Sequence, residues 1–211
     1  MGYSTDLIGH IEISPPLNLQ EQDYLGVFAA SRRYRRRGGP YAVPDSLHVD
    51  DDRPPADLVA HGTPALGQPG FWCQWVSSCG GRCITHSGGD QFHAPTEWLR
   101  YVIDHFLRPD AQAAAAERDE FGAFTFDHVC NGIVAACRRD TAKLFLIRVS
   151  DNTVTEQTLV DGTPGRAAWG PFGHEAELDR RRAAQPAPKR RRPAYPSSVV
   201  PLRPATWEAT E

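Results

Sequence analysis

Cysteine, histidine and tryptophan crowd into one stretch of the chain: Trp72, Cys73, Trp75, Cys79, Cys83, His86 and His93. Thiolates and imidazoles that converge on a single tetrahedral point hold zinc. Three residues separate Cys79 from Cys83, and two separate Cys83 from His86. A hairpin turn permits such convergence, so Cys79, Cys83, His86 and His93 are the candidate metal ligands and zinc the candidate cofactor. Paired C-x-x-C knuckles are absent, and Cys73 would have to share a strand face with its partners. The two turn cysteines also read as incidental residues able to form a disulfide on oxidation.

Acid–base chemistry has its own candidates. Asp90 with His93, and Asp104-His105, can be joined by His61 or Asp57 from a long loop, and a carboxylate beside a histidine tunes it as a general base. Successive residues on a helix point about 100° apart, so Asp104 and His105 form no dyad alone. An enzyme needs His61, Asp90, His93 and His105 to converge on one pocket; otherwise they are surface charge and an interfacial imidazole. Cys130 and Cys137 read as small buried hydrophobes in or beside a strand. G-x-S-x-G, H-E-x-x-H, P-loop and G-x-G-x-x-G patterns do not occur, so the corresponding hydrolase, zincin and nucleotide-cradle readings have no support.

Binding chemistry rests on aromatics and arginines. Trp72, Trp75, Phe92 and Trp98 can stack a base or sugar, with Arg32, Arg33, Arg35, Arg36 and Arg37 supplying phosphate contacts. In an alternating strand Phe71, Cys73 and Trp75 face one way and Trp72, Gln74 and Val76 the other, and one set is expected in the core. The alternative for the arginine run, and for Arg180–Arg182 and Lys189–Arg192, is a solvated helix end and tail. The net charge of −3 argues against an evenly basic nucleic-acid-binding surface.

The elements that must position these groups are legible from period and punctuation. Asp6–Ile13 alternates as a half-buried strand. Asn18, with Glu21 three residues on, forms a capping box that opens a helix running to about Arg35 and ending at Gly38-Gly39-Pro40. Its apolar stripe is Tyr24, Leu25, Phe28 and Ala29, and its last turns carry the arginines against the helix dipole. Residues 40–69 show no period and read as a long loop. A hairpin follows, with strands at 71–76 and 82–86 around a turn at Ser77–Arg82. Pro95 opens a second helix through Leu107, with Trp98, Leu99, Val102, Ile103 and Phe106 inward and Glu97, Arg100, Asp104 and Arg108 outward. A short helix and turn are expected within 110–128. Strands at Gly132–Ala136, Leu144–Val149 and Val154–Leu159 complete the order. The fold class is α+β, an antiparallel-rich sheet with two helices on one face in the order βαββαββ, matching a ferredoxin-like split βαβ unit.

At 211 residues, 40% of them apolar, the chain can bury one ordinary core. Its 18 prolines and 18 glycines are concentrated in 40–70 and 164–204, so a single domain is expected at 1–160 with a Pro- and Arg-rich disordered tail at 161–211. No apolar run approaches the ~20 residues that span a bilayer. No secretory signal is visible, and Asp6 breaks the myristoylation pattern. Five cysteines fit a reducing cytosol.

Several segments together resemble a set of small bacteriophage and bacterial proteins with no established activity. They are Met1-Gly2-Tyr3-Ser4-Thr5-Asp6 with Gly9, Pro15-Pro16-Leu17, Ser31-Arg32-Arg33, Gly67-Gln68-Pro69-Gly70-Phe71-Trp72-Cys73-Gln74-Trp75, Gly88-Gly89-Asp90, the helix from Glu97 to Leu107, Asn131-Gly132 and Asp151-Asn152-Thr153-Val154. The resemblance spans about 1–159 and implies that Cys79, Cys83 and His86 are a local departure and the basic tail an addition. The expected function is a cytosolic binding or accessory protein, carried by a phage or other mobile element. It would contact a protein or nucleic-acid partner through the loop and the basic helix end, with Arg32, Arg33, Arg35, Arg36, Trp72 and Trp75 as binding residues. The alternatives are an enzyme acting on a nucleotide or nucleic acid, and a zinc-stabilised binding domain.

Overall fold

The computed structural model describes residues 5–44, 57–89 and 91–164. The expected tail falls almost wholly outside them, as do Asp90 and much of the expected loop; His61 is described in its backbone alone. The first strand, β1 (Thr5–Ser14), leads to α1 (Leu19–Ala30). A ribbon of β2 (Tyr34–Arg36) and β3 (Leu58–Pro64) precedes the hairpin of β4 (Trp75–Ser78) and β5 (Cys83–His86). After α2 (Pro95–Val102) come β6 (Val129–Arg138), β7 (Leu144–Ser150) and β8 (Thr153–Val160). The main sheet has the order β4-β5-β1-β6-β7-β8, and β2-β3 stands as a separate pair.

The α+β class and the antiparallel sheet are as expected; the ferredoxin-like unit is not. A split βαβ needs its first strand parallel to a neighbour, whereas β1 runs antiparallel to both β5 and β6. The passage between α1 and β4 is not all loop either, because β3 forms within it. The backbone of residues 71–74 is irregular rather than strand.

Alternation divides the sheet into a covered face and an open one. Ile11 and Ile13 of β1, Val134 and Ala136 of β6, and Phe145, Ile147 and Val149 of β7 share one core with Tyr24, Leu25 and Phe28 of α1 and with the inward stripe of α2. The other face leaves Ile8 78% and Ile133 44% exposed. All five residues expected on the inner side of α2 are buried. The helix continues past Val102 as a π-helical turn, Ile103–Leu107, with the Arg108 amide donating to the Ile103 carbonyl. Asp104 and Arg108 pair on the outside at 3.2 Å.

The capping box of α1 forms as expected: the Glu21 amide donates to Asn18 Oδ1 at 3.0 Å, and the Asn18 amide to Glu21 Oε2 at 2.7 Å. The other carboxylate oxygen does what sequence did not show. Glu21 Oε1 accepts from the Thr125 amide at 2.8 Å and from His128 Nε2 at 3.1 Å. His128 Nδ1 lies 2.7 Å from the Pro15 carbonyl, so both ring nitrogens donate and the ring carries a proton. Glu21 and His128 are 0% and 1% exposed, making this a buried ion pair. Burial disfavours both charges, yet the hydrogen bonds from His128, Thr125 and Asn18 outweigh it and hold the Glu21 carboxyl below its ordinary 4.5. For His128, burial is likewise overcome, by Glu21 and the Pro15 carbonyl, and its pKa rises above 6.5.

The Glu21 contribution to stability is complete above pH 4.5 and is lost as pH falls through the depressed value; the His128 contribution is complete below pH 6.5 and is lost as pH rises through the raised one. Urea midpoints are therefore expected to be highest between these limits and lower on both sides. Glu21→Gln leaves the imidazolium buried without its carboxylate and is expected to cost about 3–5 kcal/mol. Equal urea midpoints for Glu21→Gln and wild type would remove the pair from the account of stability.

Candidate functional site

The first turn after α1 determines how the site is built. Ser31 closes the helix, its amide donating to the Val27 carbonyl and its hydroxyl to the Phe28 carbonyl. The helix thus ends before the arginine run, contrary to the extension to Arg35 expected from dipole complementarity. Arg33 instead turns inward and is 1% exposed. Its Nε donates to Gln68 Oε1 at 3.3 Å and Nη1 to the Ser31 hydroxyl at 3.0 Å. Nη2 donates to the carbonyls of Pro40 and Ala42 at 2.7 and 3.0 Å. The guanidinium carbon sits 3.9 Å from the Phe28 ring centroid. Every one of these acceptors is neutral, and burial lowers the Arg33 pKa to about 10. Arg36 is also buried and pairs with Asp57 at 2.8 Å. The expected basic contact surface is corrected accordingly: Arg33 and Arg36 are structural, and Arg32 and Arg35 remain exposed.

Arg33 also fixes the next wall by its backbone. Its amide donates to the Phe71 carbonyl, and its own carbonyl accepts from the Ala65 amide. Gln68, held by Arg33, donates to the Pro40 carbonyl at 2.6 Å and to the Tyr101 hydroxyl at 3.2 Å. Together these bonds set the run from Gly70 to Gln74 against the N-terminal end of α2.

Between that run and residues 91–98 lies a pocket of about 390 Å³. It is lined by Gly70, Phe71, Trp72, Gln74, Gln91, His93 and Trp98. Trp72 is 43% exposed, whereas Trp98 is 0% exposed. Among the described residues the Trp98 indole N–H has no hydrogen-bond partner. It lies close to Gly70, where a β-carbon would sit 3.6 Å from Nε1. A buried donor without an acceptor costs about 1–3 kcal/mol, so the wall holds an unsatisfied group. Gln74 is oriented by His86, whose Nε2 lies 2.9 Å from Gln74 Oε1. A β-carbon at Gly89 would come within 2.8 Å of the same oxygen, so Gln74 packs closely over this glycine. Gln91 and Ala94 both have left-handed backbones, with φ of 58° and 54°. Such strain in non-glycine residues concentrates at functional sites.

The sequence-derived candidates separate cleanly. Trp75 is core, its Nε1 donating to the Pro95 carbonyl at 2.9 Å, and Phe92 is buried beneath the His86 ring. The aromatic platform is thereby reduced to Trp72 as its exposed member. Cys83 and His86 lie three places apart on β5, which puts their side chains on opposite faces. The described residues hold no group of three or more His, Cys, Asp or Glu able to bind a metal ion. Burial pushes the Cys73 and Cys130 thiols up to about 12, so neither is a thiolate nucleophile at neutral pH. His105 stacks on Tyr101 at 3.8 Å, and its Nδ1 lies 2.7 Å from the Tyr41 hydroxyl. Burial lowers the His105 pKa from its ordinary value. It is not among the residues that line the pocket; His93 is.

Gly70, Gln74 and Gln91 were not singled out from sequence. Gln74 carried a signal, because it shares the outward parity of Trp72; Gln91 carried none. The chain matches no family model, no curated protein and no solved structure. No helix among the described residues is long and apolar enough to cross a membrane.

Replacing Arg33 tests whether its planar fork holds the pocket wall. Arg33→Lys keeps the charge but cannot reach four acceptors in one plane, and a loss of roughly 2–4 kcal/mol is expected from charge-assisted bonds to neutral oxygens. Urea denaturation of Arg33→Lys measures it; a change below about 0.5 kcal/mol would place Arg33 among ordinary surface substitutions.

Proposed function

We propose that this is a binding protein that meets its partner at the pocket between Gly70–Gln74 and Gln91–Trp98. The observation that carries this reading is the Trp98 N–H, a fully buried donor in the pocket wall with no acceptor among the described residues. A ligand oxygen or nitrogen reaching it supplies the missing bond. Three further features support the reading. Trp72 lines the pocket and is 43% exposed, and Gln91, which lines it too, has a left-handed backbone. The volume also falls within the roughly 300–1,000 Å³ of pockets that take small ligands or anchor groups. Arg33, Glu21 and His128 are buried as well and are engaged within the protein, whereas Arg36 pairs with Asp57 through Nη1 and its Nε, like Thr5 Oγ1, has no partner among the described residues. Of the arginine run, Arg32 is exposed and lies over the lining residue Phe71 at the margin of the surface.

Gly70→Ala is the decisive variant. Its methyl group meets Trp98 Nε1 at an ordinary contact distance, so the fold is retained while the approach to the N–H is closed. A partner recovered from the native host with the full chain is expected to bind Gly70→Ala and Trp72→Ala at least about ten-fold more weakly. In the ¹⁵N-labelled protein the Trp98 indole signal is expected to move on binding. A partner that binds both variants at wild-type affinity, with that signal still, would place the contact elsewhere.

A further inference from the structure

We infer that the pocket accepts a nucleoside phosphate unit, with the base on Trp72, the phosphate at Arg32, and a base or sugar oxygen taking the Trp98 N–H. This rests on the binding reading above and names the chemistry of the ligand. Arg32 is exposed, and its guanidinium lies over two rings at once, 4.7 Å from the Tyr34 centroid and 5.0 Å from that of Phe71. Phe71 is itself a pocket residue. The two rings, in edge contact at 5.9 Å, hold a cation at the pocket margin, and no described lining residue is acidic. A guanidinium so held suits a phosphate, which it can bind through two parallel bonds.

The rest of the pocket matches a base better than a peptide. An exposed indole face stacks any base. Gln74, whose Oε1 is held by His86 Nε2, and Gln91 line the same pocket and make its wall polar. The Trp98 N–H is a donor only, so it selects an oxygen or an unprotonated ring nitrogen. Peptides recognised by strand addition pair with a free sheet edge, whereas residues 71–74 and 91–94 on the two sides are irregular chain. Passing an acceptor to the buried N–H requires the backbone at Gly70 to give way, and a residue without a side chain allows that close approach.

The test titrates the ¹⁵N-labelled full chain with AMP, GMP, CMP and UMP, with an oligo-dT of eight nucleotides, and with inorganic phosphate, a neutral disaccharide and a short peptide ending in a free carboxylate. Saturable shifts of the Trp72 and Trp98 indole signals are expected with at least one mononucleotide. Trp72→Ala, Arg32→Gln and Gly70→Ala should each weaken that binding roughly ten-fold or more. Arg32→Gln should also lower the slope of log affinity against log salt for the oligonucleotide by about 0.7, the loss of one phosphate contact. Tighter binding of the oligonucleotide than of its mononucleotide identifies a strand as the source, and the reverse a free nucleotide. Binding of the peptide or disaccharide at this pocket without the nucleotides would overturn the inference and leave the binding reading standing. Nucleotide binding untouched by all three substitutions would also overturn it. No shift of Trp98 with any probe would count against the nucleotide, and if the native partner also left it still, the binding reading would fall too.

Discussion

A guanidinium buried without a carboxylate is the constraint on which the arrangement depends. An arginine keeps its charge at neutral pH even when burial lowers its pKa, so Arg33 must be met by oxygens wherever it lies. The oxygens that meet it come from three separated places: the helix end at Ser31, the turn at Pro40 and Ala42, and Gln68. Satisfying one side chain therefore pins three segments that have little regular structure of their own. The Phe28 ring closes the remaining side of the charge. Aliphatic packing could not substitute, because it would leave the carbonyls of Pro40 and Ala42 without this donor.

Order imposed at Arg33 passes to the pocket along the backbone. The Phe71 carbonyl is bonded to the Arg33 amide, so the orientation of Phe71 and Trp72 follows from the same residue that fills the core beside α1. From the other side, Trp98 is wedged edge-on between Phe28 and Tyr101, at ring distances of 6.2 and 5.6 Å. Phe28 thus touches both the guanidinium and the indole. The cation, the ring and the unpaired N–H form one contiguous assembly, and the pocket is its outer surface. Binding sites held to such rigid support keep their geometry without help from the ligand.

What could be read from the residues were features that depend on near neighbours. The N-cap at Asn18 and the inward stripe of α2 are local patterns, and both are present; the alternation of Cys73 and Trp75 against Trp72 is local too, but by itself it does not say which set is buried. The failures share a different character. The arginine run matched the negative end of a helix dipole, a local preference worth less than the hydrogen bonds that Arg33 gains by leaving the helix. β3 was hidden because its partner β2 is three residues long and gives no period. The antiparallel pairing of β5 with β1 joins residues more than 70 positions apart, and no short-range pattern records it. At the site, Gly70 read as one turn glycine among several, because its role appears only with Trp98 close to it.

The carboxylate of Glu21 carries a further consequence for the order in which the protein takes shape. One of its oxygens is satisfied by the cap three residues away, as soon as the first turn of α1 forms. The other waits for Thr125 and His128, 104 and 107 residues further along the chain. On a ribosome making roughly 5–20 residues each second, α1 emerges many seconds ahead of the groups that complete it. The helix can be nucleated early but is finished late, so its maturation reports that the chain has been synthesised as far as β6.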